Sequence, residues 1–473
     1  VPTFFFYRWT FSPDHYFFAD HWSHMWFAAF GPGWKTELSN VWNAAWPYTR
    51  PVGSLALGTL YRSFGFDPLP FHVAFFCVHV VNIFLVFRFA SAFFRSSVYG
   101  MAAAFLFGNY FVATLAAVTW TGAVFDLLCN LFVLLAITSY LSPSRAIRFC
   151  SVLFYLLALR TKQMALPLPL ILILFDWCST GAPITRKYLW ATAKRFWLHI
   201  LILLGATASG IYGVFYSARA LPSTDPYVMT FGVRVFLVDL TFYVKALVYM
   251  QDGYVIRVAA TLMGGLLAGL WFGRRRLVFA IGSFVLSLLP VIFIPAQRNT
   301  LYLYIPVVFF SILAIETVSI VSELILKAAR PILRRERPVV AAVLSFLLSA
   351  GAVVLVVSAG TPYLHSYEVF EHRLGKMNRE GIAFLRNTFP KLPAHTKLFV
   401  AGVPAYESVF EYNSGMGIQA LYRDKTIQVI ARGTDAAMKR SFAEAAEPKF
   451  FVEYSDGKYR DITSDLRTAP GRL

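Results

Sequence analysis

Charge is scarce in this 473-residue chain. Asp, Glu, Lys and Arg make up 14% of it, where a soluble globular chain carries roughly 25%, so a fold wholly surrounded by water is excluded. Acids are scarcest of all. The first 360 residues hold 12 Asp/Glu against 27 Lys/Arg, whereas residues 361–473 hold 13 against 16. Cysteine is rare too: Cys77, Cys129, Cys150 and Cys178 all sit in or beside apolar runs. They read as small buried hydrophobes, and neither a disulfide framework nor a cysteine metal set is supported. No Asn-x-Ser/Thr sequon occurs, which favours a bacterial inner (cytoplasmic) membrane over the secretory pathway. The chain opens at Val1 and runs at once into Phe4, Phe5 and Phe6, so a missing or clipped first transmembrane helix is expected.

What is present is apolar. Hydrophobic residues make up 58% of the chain and aromatics 17%. The expected architecture is a polytopic α-helical membrane domain over 1–360, with about 10–12 spans, followed by a small extracytoplasmic α/β domain over 361–473. The net charge of +18 does not point to nucleic acid, because most of the basic excess lies in short loops between apolar runs.

A spanning helix needs about 20 mostly apolar residues. Candidates are 71–87, 99–118, 121–141, 147–159, 164–177, 196–217, 255–272, 277–295, 303–326 and 338–359. The basic loops at Arg88/Arg95, Arg145/Arg148, Arg186–Arg195, Arg274–Arg276 and Lys327–Arg337 are placed in the cytoplasm. Alternation then requires 231–250, with Arg234, Asp239 and Lys245, to lie along the outer interface or re-enter. Residues 1–70, the turns at 160–163 and 296–302, and the C-terminal domain fall outside. In the tail, a helix near 366–388 and strands at 397–403, 426–432 and 449–455 are expected.

Arg160, Lys162 and Arg298 break the positive-inside bias on the outer side. Cations kept there suggest an anion held near the headgroup layer; snorkelling side chains are the alternative. The acids available outside are Asp14, Asp20, Glu37, Asp67, Asp126, Asp225, Asp239 and Asp252. The first outer loop, 12–50, carries the densest polar cluster near the bundle, Asp14-His15 and Asp20-His21-Trp22-Ser23-His24. On a helix Asp20 and His24 are four apart and His21 and His24 three apart, so they can converge. A base with substrate contacts is the preferred reading, ahead of a divalent metal site or a solvated loop.

Several segments resemble a known family: Tyr48-Thr49-Arg50-Pro51, Phe66-Asp67-Pro68-Leu69-Pro70-Phe71-His72, Val78-His79-Val80-Val81-Asn82, Thr119–Leu128 with Asp126, Leu159-Arg160-Thr161-Lys162-Gln163, and Arg298-Asn299-Thr300-Leu301-Tyr302-Leu303-Tyr304-Ile305-Pro306. In order and spacing they are similar to the transmembrane, TPR-containing O-mannosyltransferases and their bacterial relatives, which have the GT-C glycosyltransferase fold. The family's first loop carries an Asp-Asp pair where this chain has Asp20-His21, and no 34-residue TPR period is found in the tail. The resemblance implies transfer of a sugar from a polyprenyl phosphate to a protein, lipid or glycan hydroxyl on the non-cytoplasmic face, with inversion. Asp20 is the expected base, with Asp14 in reserve and His21 or His24 as rivals. Arg160, Lys162 and Arg298 are expected on the lipid phosphate, and His21, His24, Arg50, His72, His79, Asp126 and Tyr302 around the substrates. No cofactor is required, because a monophosphate leaves. A lipid-linked glycan transporter or flippase, or a glycan polymerase or ligase, is the competing reading.

Overall fold

A computed structural model describes residues 2–43, 50–215, 225, 227–249, 255–329, 338–403, 407–431 and 433–468. Tyr48, Thr49, Asp252 and the basic run from Arg330 to Arg337 lie outside the described residues.

Short helices α1 (Pro2–Tyr7), α2 (His21–Phe30), α3 (Trp34–Asn43) and α4 (Pro51–Phe64) form the first loop region. The bundle comes next as α5 (Leu69–Phe94), α6 (Ser97–Gly108), α7 (Phe111–Thr119), α8 (Val124–Tyr140), α9 (Arg145–Thr161), α10 (Leu168–Thr180), α11 (Arg186–Phe215), α12 (Val233–Leu247), α13 (Val255–Trp271), α14 (Arg275–Leu288), α15 (Pro306–Ala329) and α16 (Pro338–Thr388). Each expected span therefore holds a helix. Among the described residues six are long and apolar enough to cross a membrane, or up to seven if the bent pair α6–α7 counts as one; the others are shorter than the ~20 residues a crossing takes. Helix α12 has 15 residues, about 22 Å at 1.5 Å per residue against a hydrocarbon core of about 30 Å. It fits a segment that does not cross.

Between α6 and α7 the chain bends by 61°. A break inside an apolar bundle exposes backbone groups that must find partners there, and this sequence supplies them. The Asn109 side chain donates to the Phe105 carbonyl at 2.9 Å. The freed carbonyl of Gly108 accepts from Tyr7 Oη at 3.3 Å and from His79 Nε2 at 3.1 Å. With Nε2 donating, His79 Nδ1 accepts from Tyr304 Oη at 2.8 Å, while Asn82 donates to the same hydroxyl at 3.1 Å.

Helix α16 has 51 residues, about 76 Å. Its apolar first half continues without interruption through residue 360 into the C-terminal domain. Beyond it come β1 (Lys397–Ala401), α17 (Met416–Tyr422), β2 (Gln428–Ile430), α18 (Asp435–Glu444), β3 (Lys449–Ser455), β4 (Lys458–Asp461) and α19 (Thr463–Thr468). The sheet order is β2-β1-β3-β4, with β1 parallel to β2 and β3, and β4 antiparallel to β3. Phe399, Phe442 and Phe451 fill one face as mutually packed rings.

The first loop and this domain pack on each other. Trp26 Nε1 donates to Gln419 Oε1 at 2.7 Å, the Ala19 amide donates to the Glu407 carbonyl at 3.1 Å, and Trp22 lies against Gly417, where a Cβ would come within 2.9 Å of its ring. Residues 12–43 and the C-terminal domain therefore share one side of the bundle, as the alternation of basic loops requires.

Candidate active site

Asp20 sits immediately before α2, in the position where a carboxylate would ordinarily cap the helix, yet it makes no cap bond. Its side chain turns instead to the joint between α7 and α8, where Trp120 Nε1 donates to Oδ1. Burial raises the Asp20 carboxyl to about 6, and the Trp120 bond opposes that rise without cancelling it. Four residues on, His24 reaches the same joint. Its Nδ1 lies 3.4 Å from Thr121 Oγ1 and its ring centroid 6.1 Å from that of Phe125. Gly122 makes room for this ring: a Cβ there would stand 2.7 Å from His24 Cε1. Burial first, and the charge of Arg50 second, lower His24 to about 4, so it is neutral near pH 7.

Arg50 completes this wall, with its guanidinium 5.6 Å from the Phe125 ring centroid. Next to Phe125 in the chain, Asp126 forms a buried pair with Lys162, with both carboxylate oxygens engaged, at 2.7 and 2.6 Å from Nζ. Nζ also stands 4.9 Å over the Tyr302 ring. In a low-dielectric site a lone cation is costly and a paired one tolerable, so Lys162 is neutralised by Asp126.

The three cations expected on one phosphate are held by separate partners. Arg160 donates from Nε and Nη2 to the carbonyls of Val41 and Asn40, both at 2.7 Å; it closes the C-terminus of α3, where backbone carbonyls lack helical partners. Arg298 binds the fully buried Asp239 of α12 through Nε at 2.8 Å and Nη2 at 2.7 Å. Among the described residues no contact joins the three. Asp14 is likewise engaged elsewhere, 2.7 Å from Arg379 on α16.

The remaining histidines divide. His79 belongs to the α6–α7 break. His21 stacks on Phe18 at 4.7 Å between centroids, and burial together with the nearby His24 and His72 lowers it well below the ordinary range. His72 meets His15 edge-on, 4.0 Å between centroids. His15 Nε2 is 3.2 Å from Glu371 Oε2, and Thr119 donates to Glu371 Oε1 at 3.0 Å. Sequence reasoning placed His15 in the first-loop polar cluster but missed its partner Glu371, because an acid in the charge-rich tail is not conspicuous in the way one in the membrane domain is. Among the described residues no group of three or more His, Cys, Asp or Glu is arranged to hold a metal ion.

No protein-family profile matches the chain, and no curated protein matches it. Among solved structures, ArnT from Cupriavidus metallidurans in the apo state aligns with a TM-score of 0.44 at 13% identity, over 94% of this chain and 92% of that one. The same protein bound to undecaprenyl phosphate aligns with a TM-score of 0.47 at 13% identity, over 98% and 92%.

Proposed function

We propose that this chain is a membrane glycosyltransferase of GT-C type that transfers a sugar from a polyprenyl phosphate to an acceptor hydroxyl on the non-cytoplasmic face. The observation that carries the reading is the partly buried Asp20 carboxyl, raised to about 6 and oriented by Trp120 at the joint between α7 and α8, where His24 also reaches, at the mouth of an apolar bundle. A general base works best with a pKa near the working pH. In the transfer, the acceptor oxygen attacks C1 of the sugar and its proton passes to Asp20. The bond from C1 to the phosphate oxygen breaks, and the lipid phosphate leaves as an anion. Charge growing on that oxygen needs a fixed cation. Arg50, which lies on the same wall as His24, takes this role in our reading, with Lys162 behind it. The lipid tail would lie along exposed apolar helix faces. The motif resemblance across 48–306 supports the same reaction class; the acceptor is a protein, lipid or glycan hydroxyl.

The test is Asp20→Asn. The isosteric amide keeps a hydrogen-bond acceptor for Trp120 but cannot take a proton. Transfer should fall by ~10²–10⁴-fold while binding of the polyprenyl-linked donor stays within about twofold. Normal turnover removes Asp20 from the chemistry. Undiminished movement of lipid-linked glycan across vesicles, with no transfer by the wild-type chain, would establish a flippase instead.

A further inference from the structure

At the other end of the bundle lies a cavity of about 480 Å³. It is remote from the site above: along α5, Arg95 is 23 residues beyond His72, roughly 34 Å at helical rise. The ends of α5 and α10, the α13–α14 turn and α15 enclose it, and it is lined by Arg95, Arg274, Arg275, Arg276 and Glu316. The positive-inside reading assigns this end to the cytoplasm.

Four guanidinium groups around one cavity are costly unless something offsets them. Three of the arginines occupy the N-terminus of α14, where unpaired N–H groups and the helix dipole already favour an anion and disfavour cations. The acids present offset only part of this charge. Arg274 pairs with Glu323 at 2.7 Å, and Glu316 lies in the cavity wall with Oε2 buried and unpartnered among the described residues. Ionised, these two acids still leave a net charge of +2 from the four arginines. The guanidinium groups are also held in place. Arg275 lies 5.8 Å from the Trp177 ring centroid and so close to Gly181 that a Cβ there would be 2.3 Å from Nη1, a nitrogen that has no hydrogen-bond partner among the described residues. Arg276 lies 5.8 Å from the Phe94 ring centroid. Arg95 turns into the cavity wall from a left-handed residue (φ 54°) that ends α5.

We infer that this cavity binds a phosphate group, carried by an anionic lipid headgroup or by a soluble phosphate ester, between α5, α10, α14 and α15. Guanidinium groups match phosphate oxygens in bidentate geometry. Basic pockets between membrane helices on the cytoplasmic side suit lipid headgroups, and the volume lies in the range of ligand cavities.

Native mass spectrometry of the full chain in detergent, titrated with phosphatidylglycerol, tests the inference. One tightly retained lipid is expected, with affinity at least tenfold lower in Arg275→Gln/Arg276→Gln. Arg145→Gln/Arg148→Gln removes the same charge from an exposed surface outside the cavity, and should stay within twofold of wild type. Should the arginine variant fail to fold, Ser179→Glu introduces a carboxylate at the cavity wall and should weaken binding comparably. Displacement of the lipid by millimolar inorganic phosphate assigns the site to soluble phosphate esters, and retention assigns it to headgroups. Equal loss in the surface control, or no change in either cavity variant, overturns the inference.

Discussion

Trp120 donates to Asp20 across 100 residues of sequence, tying the start of α2 to the joint between α7 and α8. The bond does two things at once. It fixes a carboxylate that would otherwise cap its own helix, and it favours the ionised form against the burial that opposes it.

The pH profile identifies the base. If Asp20 accepts the proton, transfer rises with pH around a midpoint of about 6; if His24 does, the midpoint is about 4. Rates of transfer between pH 3.5 and 8 in the wild-type protein separate the two.

Trp120→Phe removes the N–H donor and keeps an aromatic ring, though a smaller one. Because the bond holds the Asp20 carboxyl down, its loss should move the midpoint of the profile upward and lower the maximal rate by about tenfold, since an oriented, charge-assisted hydrogen bond is worth roughly 1.5–3 kcal/mol. An unchanged midpoint would reduce Trp120 to packing.

Stability should respond to Asp20→Asn in a defined direction. The folded carboxyl lies at about 6 against an ordinary value of 3.8, so the folded state binds this proton more tightly than the unfolded one. Wild-type stability therefore falls as pH rises from about 4 to 6 and stays lower above it. The amide variant lacks this penalty. Its Tm should exceed the wild-type value at pH 8, with the difference shrinking towards pH 4, as followed by thermal denaturation in detergent.

Lys162 offers a double-mutant cycle with Asp126. Removing either partner alone leaves a buried charge without its counter-ion and should cost roughly 3–5 kcal/mol. Asp126→Leu with Lys162→Met should recover most of that loss. Donor affinity measured in the double variant separates a structural pair from a phosphate ligand: a loss beyond tenfold keeps Lys162 on the donor, and no loss leaves the charge role to Arg50.

Gly122→Ala tests the packing of the site. A methyl group 2.7 Å from His24 Cε1 must displace the ring, so transfer should fall by at least tenfold. The neighbouring Trp120 ring atom, 3.3 Å from the same Cβ, adds to the crowding. Undiminished transfer would show that the position of His24 does not matter to the reaction.

Among the described residues, hydropathy locates the long helices of the bundle and β1, β2 and β3 of the tail, because burial in lipid or in a sheet leaves runs of apolar side chains that composition registers directly; α17, α18, α19 and β4 are too short or too polar to be read this way. The break at Asn109 leaves no such trace: both halves are apolar, and only the scatter of Tyr7, His79 and Asn82 along other segments marks the backbone groups they satisfy. His79, placed among the substrate contacts by the resemblance, is bonded to the Gly108 carbonyl and Tyr304. The paired cations are hidden for a related reason. Arg298 and Asp239 are 59 residues apart, and Lys162 and Asp126 are 36 apart, so the cations are readable from the chain but their neutralisation is not. Asp20 stands out because acids are so few, and Glu371 does not because the tail is rich in them.

Helix α16 couples height to direction. Its 28 residues beyond position 360 rise about 42 Å, and each added residue would lift the α/β domain by about 1.5 Å while turning it through about 100°. The domain thus cannot be moved outward by small insertions without swinging Glu371 off His15 and taking Arg379 away from Asp14. Even a whole turn, which restores direction, would lift Glu371 and Arg379 by about 5.4 Å from their partners, so the length of this strut is fixed by its lateral contacts. A tilt of 10° would sweep its far end sideways by about 7 Å over that rise, carrying the floor on which Trp26 and Gln419 meet.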